Sequence, residues 1–554
     1  MQLMSGSGRF MEIRMMEQKR KILPLIIIAA AILAYSSSFS GVFLLDDHVV
    51  ITGNRDIGSF VPVSLSARML VDFTFKLNYL IGGFKAADYH LVNLLIHIVT
   101  GLFLYGIIRR TLLLQYFAGR YLHASSIIAC VCSCIWIIHP LVTQSITYIC
   151  QRYESMMGLF FLSSVYCFVR ACTSEHKRLW FDLSILACIL GMGTKEVIAV
   201  APFVIIIYDY VFLSDSIKDL VRKRWKVHLC LFSTIGILVC LLLCSLAKEM
   251  EISSRFVHIS PLIYLANQCK VVLYYLWLSV FPRDLCFDYA WIPSEDVLSL
   301  MPYILITSTL FVVAVAATYF RKSAGFLGLS FFAVLAPTSS VVPVADLIVE
   351  HRMYLPLISV VVLLVVGSCR LTKATAGDSL HMIHIWCSIW SLIAIVFIFL
   401  TYMRNIEYRS EEAIWRDVMR KQPCNYRAGN DLAVALSETG KFDEAMQVYD
   451  KVLSAIPEAV IAELESGKIV VRDVFVKSSP EYQYFVANAN KALLISTREG
   501  RRDEAIGFYI KALRVAPDNQ NVREKIKHVL RQKKVPETCL DDEIHAILMN
   551  KKQK

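Results

Sequence analysis

Two adjacent carboxylates, Asp46 and Asp47, follow directly on an apolar run from Ile22 to Leu45, with His48 next in the chain. Neighbouring carboxylates cannot both be desolvated and ionised cheaply, so a buried pair requires a proton, a cation or a basic partner. Group transfer gives such a pair a use. One carboxylate can take the proton of an attacking hydroxyl as general base, and either can hold a divalent metal such as Mg or Mn. The same residues can equally open a hydrated loop where a membrane span meets water.

Other polar groups stand in comparable places. QRYESM carries Gln151, Arg152 and Glu154, and VEHRMYLP carries Glu350, His351, Arg352 and Tyr354, each beside an apolar stretch. An arginine at a helix start offers a planar fork of donors that fits phosphate, so Arg152 and Arg352 facing one compartment would clamp a lipid-linked phosphate. The alternative is a pair of interfacial anchors. Lys195 beside Glu196 in GMGTKEV, His90 in AADYHLV, and Asp288 with Tyr289 in FPRDLCFDYAW complete the substrate-binding candidates. Carboxylates beside aromatic rings suit both a sugar face and a membrane interface. Asp209, inside the run IIIYDYVF, is expensive to bury and reads as a helix-pairing residue. Cys130, Cys132 and Cys134 alternate within one apolar run, a spacing that turns them to different faces, and His381 with His384 lacks a third ligand. No phosphate-binding glycine loop, dinucleotide fingerprint or Ser-His-Asp order is present.

These groups must be positioned by membrane-spanning helices. The 554 residues are 56% hydrophobic, above the usual share of about half. Apolar runs of about 20 residues, enough to cross roughly 30 Å of hydrocarbon as helix, recur as far as residue 402. The chain therefore reads as all-α: residues 1–21 a cytoplasmic N-terminal segment, 22–402 a polytopic domain of about eleven spans, 403–535 a helical repeat domain and 536–554 a charged tail. The net charge of +11 is spread in short basic clusters between apolar runs, a topology signal and not a nucleic-acid footprint. With eleven spans those clusters share the cytoplasmic side, and Asp46, Asp47, His90, Arg152, Lys195, Asp288, Glu350, His351 and Arg352 gather on the other. Residues 266–281 are apolar but short, and read as an interfacial or re-entrant helix that does not cross.

After Tyr402 the pattern changes. GKFDEAMQVYDKVLSAIP and GRRDEAIGFYIKALRVAP share Gly, Ala, Tyr and Pro at identical offsets, the tetratricopeptide pattern of small residues between close helices with proline ending the second. An atypical repeat or insertion over about 458–484 separates them, and EEAIWRDVMRKQP forms a half-repeat that couples the last span to the array.

FLLDDHVVITGN, HPLVTQSITYICQR, TKEVIAVAPFVIIIYDYVF, CFDYAW and APTSSVVPVADLIVEHRMYLPL, followed by the repeats, resemble the transmembrane and tetratricopeptide-repeat-containing proteins, a family similar to the GT-C membrane glycosyltransferases. The resemblance implies a polyprenyl-phosphate sugar as donor, inverting transfer on the extracytoplasmic face and, in eukaryotic members, protein O-mannosylation. It also implies that Asp46 and Asp47 are the catalytic acidic pair, that Arg152 and Arg352 contact the donor phosphate, and that the repeats hold the acceptor or a partner protein. With two clear repeats and no N-x-Ser/Thr sequon, the chain resembles a bacterial relative of the inner membrane with periplasmic repeats; a eukaryotic member would sit in the ER membrane with luminal repeats. The rival reading is a non-catalytic membrane anchor whose repeats recruit envelope proteins.

Overall fold

The computed structural model describes residues 22–59, 65–249, 260–344, 346–376, 380–466, 479–498 and 500–550. The N-terminal segment 1–21 and much of the expected insertion at 458–484 lie outside the described residues. Among the described residues the regular elements are helices. The membrane domain contains α1 (Ile22–Ser40), α2 (Met69–Gly82), α3 (Ala86–Leu112), α4 (Ser125–Ile137), α5 (Thr143–Thr147), α6 (Arg152–Ala171) and α7 (Lys177–Gly191). It continues with α8 (Ala201–Tyr208), α9 (Ile217–Glu249), α10 (Pro261–Val280), α11 (Val297–Tyr319), α12 (Ser323–Leu335), α13 (Pro356–Ala376) and α14 (Leu380–Ile406).

Each of the eleven expected spans is helical, but the count of eleven is not met by length and apolarity. Among the described residues six helical stretches are long and apolar enough to cross a membrane: Ile22–Ser40, Ala86–Leu112, Glu196–Leu213, Ile217–Ser245, Val297–Tyr319 and His381–Arg409. A seventh results if Ser125–Ile137 and Pro140–Thr147, bent by 52°, are one broken span. α6 fails because Arg152, Glu154 and Arg170 interrupt its apolarity, and α12 is a shorter apolar helix. Charge, a break and short length, not lack of helix, reduce the number.

The helices have two distinct ends. At one, Arg321 donates to the Asp215 carbonyl (2.6 Å) and Tyr210 to the Tyr319 carbonyl (3.1 Å), joining loops rich in Lys and Arg. Near it Asp209 is fully buried, held by Arg224 (2.6 and 2.7 Å), His228 (2.8 Å) and Ser214 (2.7 Å), so it pins α9 to the chain before it, as its place in the sequence suggests. The opposite end collects the candidate residues. α10 is a continuous 20-residue helix, longer than the short segment expected, yet both its ends attach to that second end. Tyr264 donates to the Thr338 carbonyl (3.0 Å), Tyr275 to Val349 (2.7 Å), and His139 bonds the Ser279 carbonyl (3.2 Å).

The repeat domain follows without a break. α15 (Glu411–Lys421) leads into α16 (Tyr426–Glu438) and α17 (Phe442–Ala455), then α18 (Glu458–Glu465), α19 (Pro480–Ser496), α20 (Arg502–Val515), α21 (Gln520–Gln532) and α22 (Leu540–Asn550). The shared offsets take matching roles: Ala445 and Ala505 are fully buried, Tyr449 and Tyr509 nearly so. Gly440 and Gly500 turn the chain at φ 79° and 87°, a left-handed conformation that glycine adopts without Cβ strain. The expected charged tail is mostly helix, and its Leu540 and Ile544 pack into the last hydrophobic cluster.

Candidate active site

One segment organises the polar end. The chain bends after α4 at Pro140, and the stretch from His139 to Glu154 sends a side chain or backbone group to nearly every neighbour. Gln144 accepts from His351 N (3.0 Å) and contacts its Nδ1 (3.1 Å), while its amide donates to the Phe287 carbonyl (3.0 Å). Thr147 donates to Asn405 at the end of α14. The Tyr148 hydroxyl accepts Asp46 N–H (3.0 Å), and Cys150 N–H donates to Asp47 Oδ1 (2.6 Å). Glu154 pairs with Lys195. A helix interrupted by proline frees these groups for tertiary bonds.

The acidic pair divides. Asp47 is fully buried, and its other oxygen accepts Leu44 N–H at 2.9 Å. Burial pushes its carboxyl up to about 7, against the opposing effect of these N–H donors. Asp46 is exposed. Leu45, at φ 39°, makes the kink that sends the two apart, a left-handed conformation costing a β-carbon residue about 1–2 kcal/mol. His48 lies between Thr52 (3.1 Å) and Glu411 of α15 (2.7 Å), an outward contact toward the repeats.

Lys195 and His351 stay at this site. The positive charges of Lys195, Arg352 and Arg68, together with burial as the largest cause, hold the His351 imidazole well below its usual range. Arg68 is a residue that sequence reasoning missed. It stands over the Tyr153 ring (5.1 Å), and Leu70 N–H donates to the Gly193 carbonyl (2.9 Å), which ties the start of α2 to the Lys195 turn. Its only sequence signal is a lone arginine ahead of an amphipathic helix.

Other expected contacts are corrected. Arg152 does not present a free fork: it is fully buried and donates to Asn93 (2.6 Å), Asn78 (2.7 Å), Thr74 (3.1 Å) and the Tyr89 carbonyl (3.1 Å), over the Phe75 ring at 4.6 Å. All these acceptors are neutral, so Arg152 welds α2, α3 and α6. Arg352 gives its two terminal nitrogens to the carbonyls of Leu347 (3.0 Å) and Asp346 (2.6 Å), shaping the loop before it. His90 is buried behind Gly41, where a Cβ would lie 2.8 Å from its Nε2, so it packs inside the fold against the end of α1.

Glu350, Asp288 and Tyr289 belong to the junction with the repeats. Glu350 is fully buried, accepts Cys286 N–H (2.6 Å) and Tyr289 OH (2.9 Å), and lies 4.0 Å from Arg404; burial lifts its carboxyl to about 7. Arg404 continues to Asp417 of α15 (3.1 Å). Asp288 accepts Arg427 Nε (2.7 Å) and Asn425 Nδ2 (3.1 Å), clasping the start of α16.

Asp47 is buried with both oxygens accepting N–H groups, so of the acidic pair the exposed Asp46 is the carboxylate that would hold a Mg or Mn ion, with water and donor phosphate as the remaining ligands. Among the described residues no group of three or more His, Cys, Asp or Glu is placed to hold a metal ion.

Comparison with known proteins joins this geometry to a family. Tetratricopeptide-repeat models match residues 427–458 and 494–523. Protein O-mannosyl-transferase TMTC3 of Homo sapiens is 21% identical over 563 residues, covering 92% of this chain. The chain is thus similar, over most of its length, to transmembrane and tetratricopeptide-repeat-containing proteins. Protein O-mannosyl-transferase TMTC4 of Homo sapiens is 24% identical over 77% of this chain, and protein O-mannosyl-transferase F38B6.6 of Caenorhabditis elegans 23% over 77%. The chain spans 58%, 65% and 61% of these three family members respectively. All three are animal proteins.

Proposed function

We propose that the chain is an integral-membrane glycosyltransferase that moves mannose from a polyprenyl-phosphate donor to a hydroxyl of a protein acceptor, on the extracytoplasmic face. The relatives are named protein O-mannosyl-transferases, which supports the sugar and the acceptor class. The observation that carries the reading is an exposed carboxylate, Asp46, held on the same segment that supports a cationic patch of Arg68 and Lys195 beside the uncharged His351 imidazole.

Asp46 accepts the proton of the acceptor hydroxyl as its oxygen attacks the anomeric carbon from the face opposite the phosphate. The bond from that carbon to the phosphate oxygen breaks, the phosphate keeps the electron pair, and the configuration inverts. Lys195 and Arg68 stabilise the charge left on the departing polyprenyl phosphate. Asp47, by holding Leu44 and Cys150, is a positioning residue that fixes the direction of its neighbour. An apolar cavity of about 180 Å³ between α3, α6, α12 and α13, running from Leu355 to Arg370, is suited to the prenyl chain.

Purified protein supplied in turn with polyprenyl-phosphate mannose, polyprenyl-phosphate glucose and polyprenyl-diphosphate sugars tests this. The mannosyl monophosphate is expected to be consumed. Turnover of a diphosphate donor alone, or of none, overturns the reading.

A further inference from the structure

A second cavity, of about 390 Å³, opens where the loop after α10 meets the first repeat helices, a size in the range of ligand-binding clefts. One wall is aromatic: Tyr289 and Trp291 have ring centroids 6.3 Å apart at 85°, and Tyr274 stands 5.1 Å from Trp291. The repeat domain supplies the other wall with Gln422, Tyr426 and Pro480.

The floor is built and held. Ala290, between the two aromatic residues, has φ 46°, a left-handed conformation that persists only where its surroundings impose it. Asp288 imposes it by accepting Ala290 N–H (3.2 Å) while gripping Asn425 and Arg427. Asn267 fixes the far side by exchanging two hydrogen bonds of 2.9 Å with Ser294.

Two lining side chains, by contrast, are uncommitted. Lys270 Nζ lies 5.1 Å from the Trp291 ring and 5.8 Å from Tyr303, with no carboxylate in ion-pairing distance among the described residues. The Gln422 side-chain amide has no protein partner among the described residues, while its backbone N–H donates to the Val418 carbonyl (2.7 Å). The loop that forms the aromatic wall also reaches the candidate active site: its Phe287, two residues before Tyr289, packs on Tyr148 (5.0 Å), whose hydroxyl receives Asp46 N–H.

We propose that this cleft binds an extended segment of the acceptor polypeptide that carries an acidic side chain near the hydroxyl to be modified. The aromatic wall takes its apolar side chains, Gln422 pairs with a backbone amide, and Lys270 pairs with the carboxylate. The cation, and a position between a membrane loop and a helical repeat, favour a charged peptide over a neutral glycan. The proposal rests on the reading of the chain as a transferase acting on protein, and it locates the acceptor at the junction instead of along the repeats.

The test uses the full chain in lipid nanodiscs and two fluorescent nine-residue peptides, identical except that the central Thr is flanked by Asp in one and by Lys in the other. Binding is read by anisotropy with no donor present. The Asp peptide is expected to bind at least tenfold more tightly, Lys270→Glu to reverse that order, and Trp291→Ala to weaken both peptides tenfold without lowering the melting temperature. Equal affinities, no binding, an order unchanged in Lys270→Glu, or displacement by a neutral mannose oligosaccharide overturns the proposal. Donor consumption is followed separately: lost peptide selectivity with intact donor turnover sinks the cleft alone, and intact selectivity with no donor turnover sinks the transferase reading and the peptide's role as acceptor while leaving a peptide-binding cleft.

Discussion

Asp47 gives both carboxylate oxygens to backbone N–H groups at zero exposure, so Asp47→Asn places an N–H₂ group against a donor. A buried donor left unpaired costs about 1–3 kcal/mol, and the expected result is a lower melting temperature together with lost turnover. Protonation adds a second expectation. Asp47 and Glu350 both stand near 7 when folded, because of burial, against about 4 for free carboxyl groups. Between those values the folded state binds more protons than the unfolded one, so stability falls as pH rises from about 4 to about 7 and levels off above, by up to roughly 1.4 kcal/mol per pH unit for each group. Thermal unfolding followed from pH 5 to 8 should show this slope, and Glu350→Gln should flatten it. The pair's place after the first apolar run was readable from sequence; its division into an exposed and a buried member was not, because that depends on the Leu45 kink and on amides 100 residues away.

At the scale of elements, the stretch from His139 to Glu154 and the loop from Phe281 to Asp296 are held by bonds between segments remote in sequence, and hydrophobic patterning carries no trace of such bonds. The helices themselves were legible because their apolar runs are long. Arg152 shows the limit: an arginine at a helix start reads as a phosphate ligand until Asn78, Asn93 and Thr74 are seen around it. Its role as a weld predicts that Arg152→Lys, which keeps the charge but loses the fork, still destabilises the membrane domain, by about 1.5–3 kcal/mol for each charge-assisted hydrogen bond that lysine cannot remake. Retained melting temperature in Arg152→Lys, with donor affinity lost, would instead restore the phosphate role. The clasp of Asp288 with Arg427 is a separate element-scale device. Asp288→Asn should expose the chain near Lys421 to trypsin while leaving the membrane helices intact, and unchanged proteolysis would argue that the clasp contributes nothing.

For the whole molecule, topology carries the account. The candidate residues and the repeats share one end of the helices, and the basic loops share the other. The sorting of charge in the sequence anticipated this polarity, even though among the described residues six to seven helices, not eleven, are long and apolar enough to span by themselves. Cys424 and Cys539, both exposed in the repeat domain, are expected to react with a membrane-impermeant maleimide from the extracytoplasmic side. A cysteine placed at Lys177 is expected to react only after permeabilisation. Labelling in the reverse pattern would put the repeats in the cytoplasm and remove the acceptor from the proposed face. A non-catalytic anchor would pass this labelling test equally well, so chemistry must separate the two readings.

The most direct measurement is mannose transfer from polyprenyl-phosphate mannose to a hydroxyl-bearing peptide, comparing wild type with Asp46→Asn. Loss of a general base predicts a fall in kcat of about 10²–10⁴-fold, and because Asp46 is exposed and its side chain holds no other element, the melting temperature should not move. Wild-type turnover in Asp46→Asn would contradict the account.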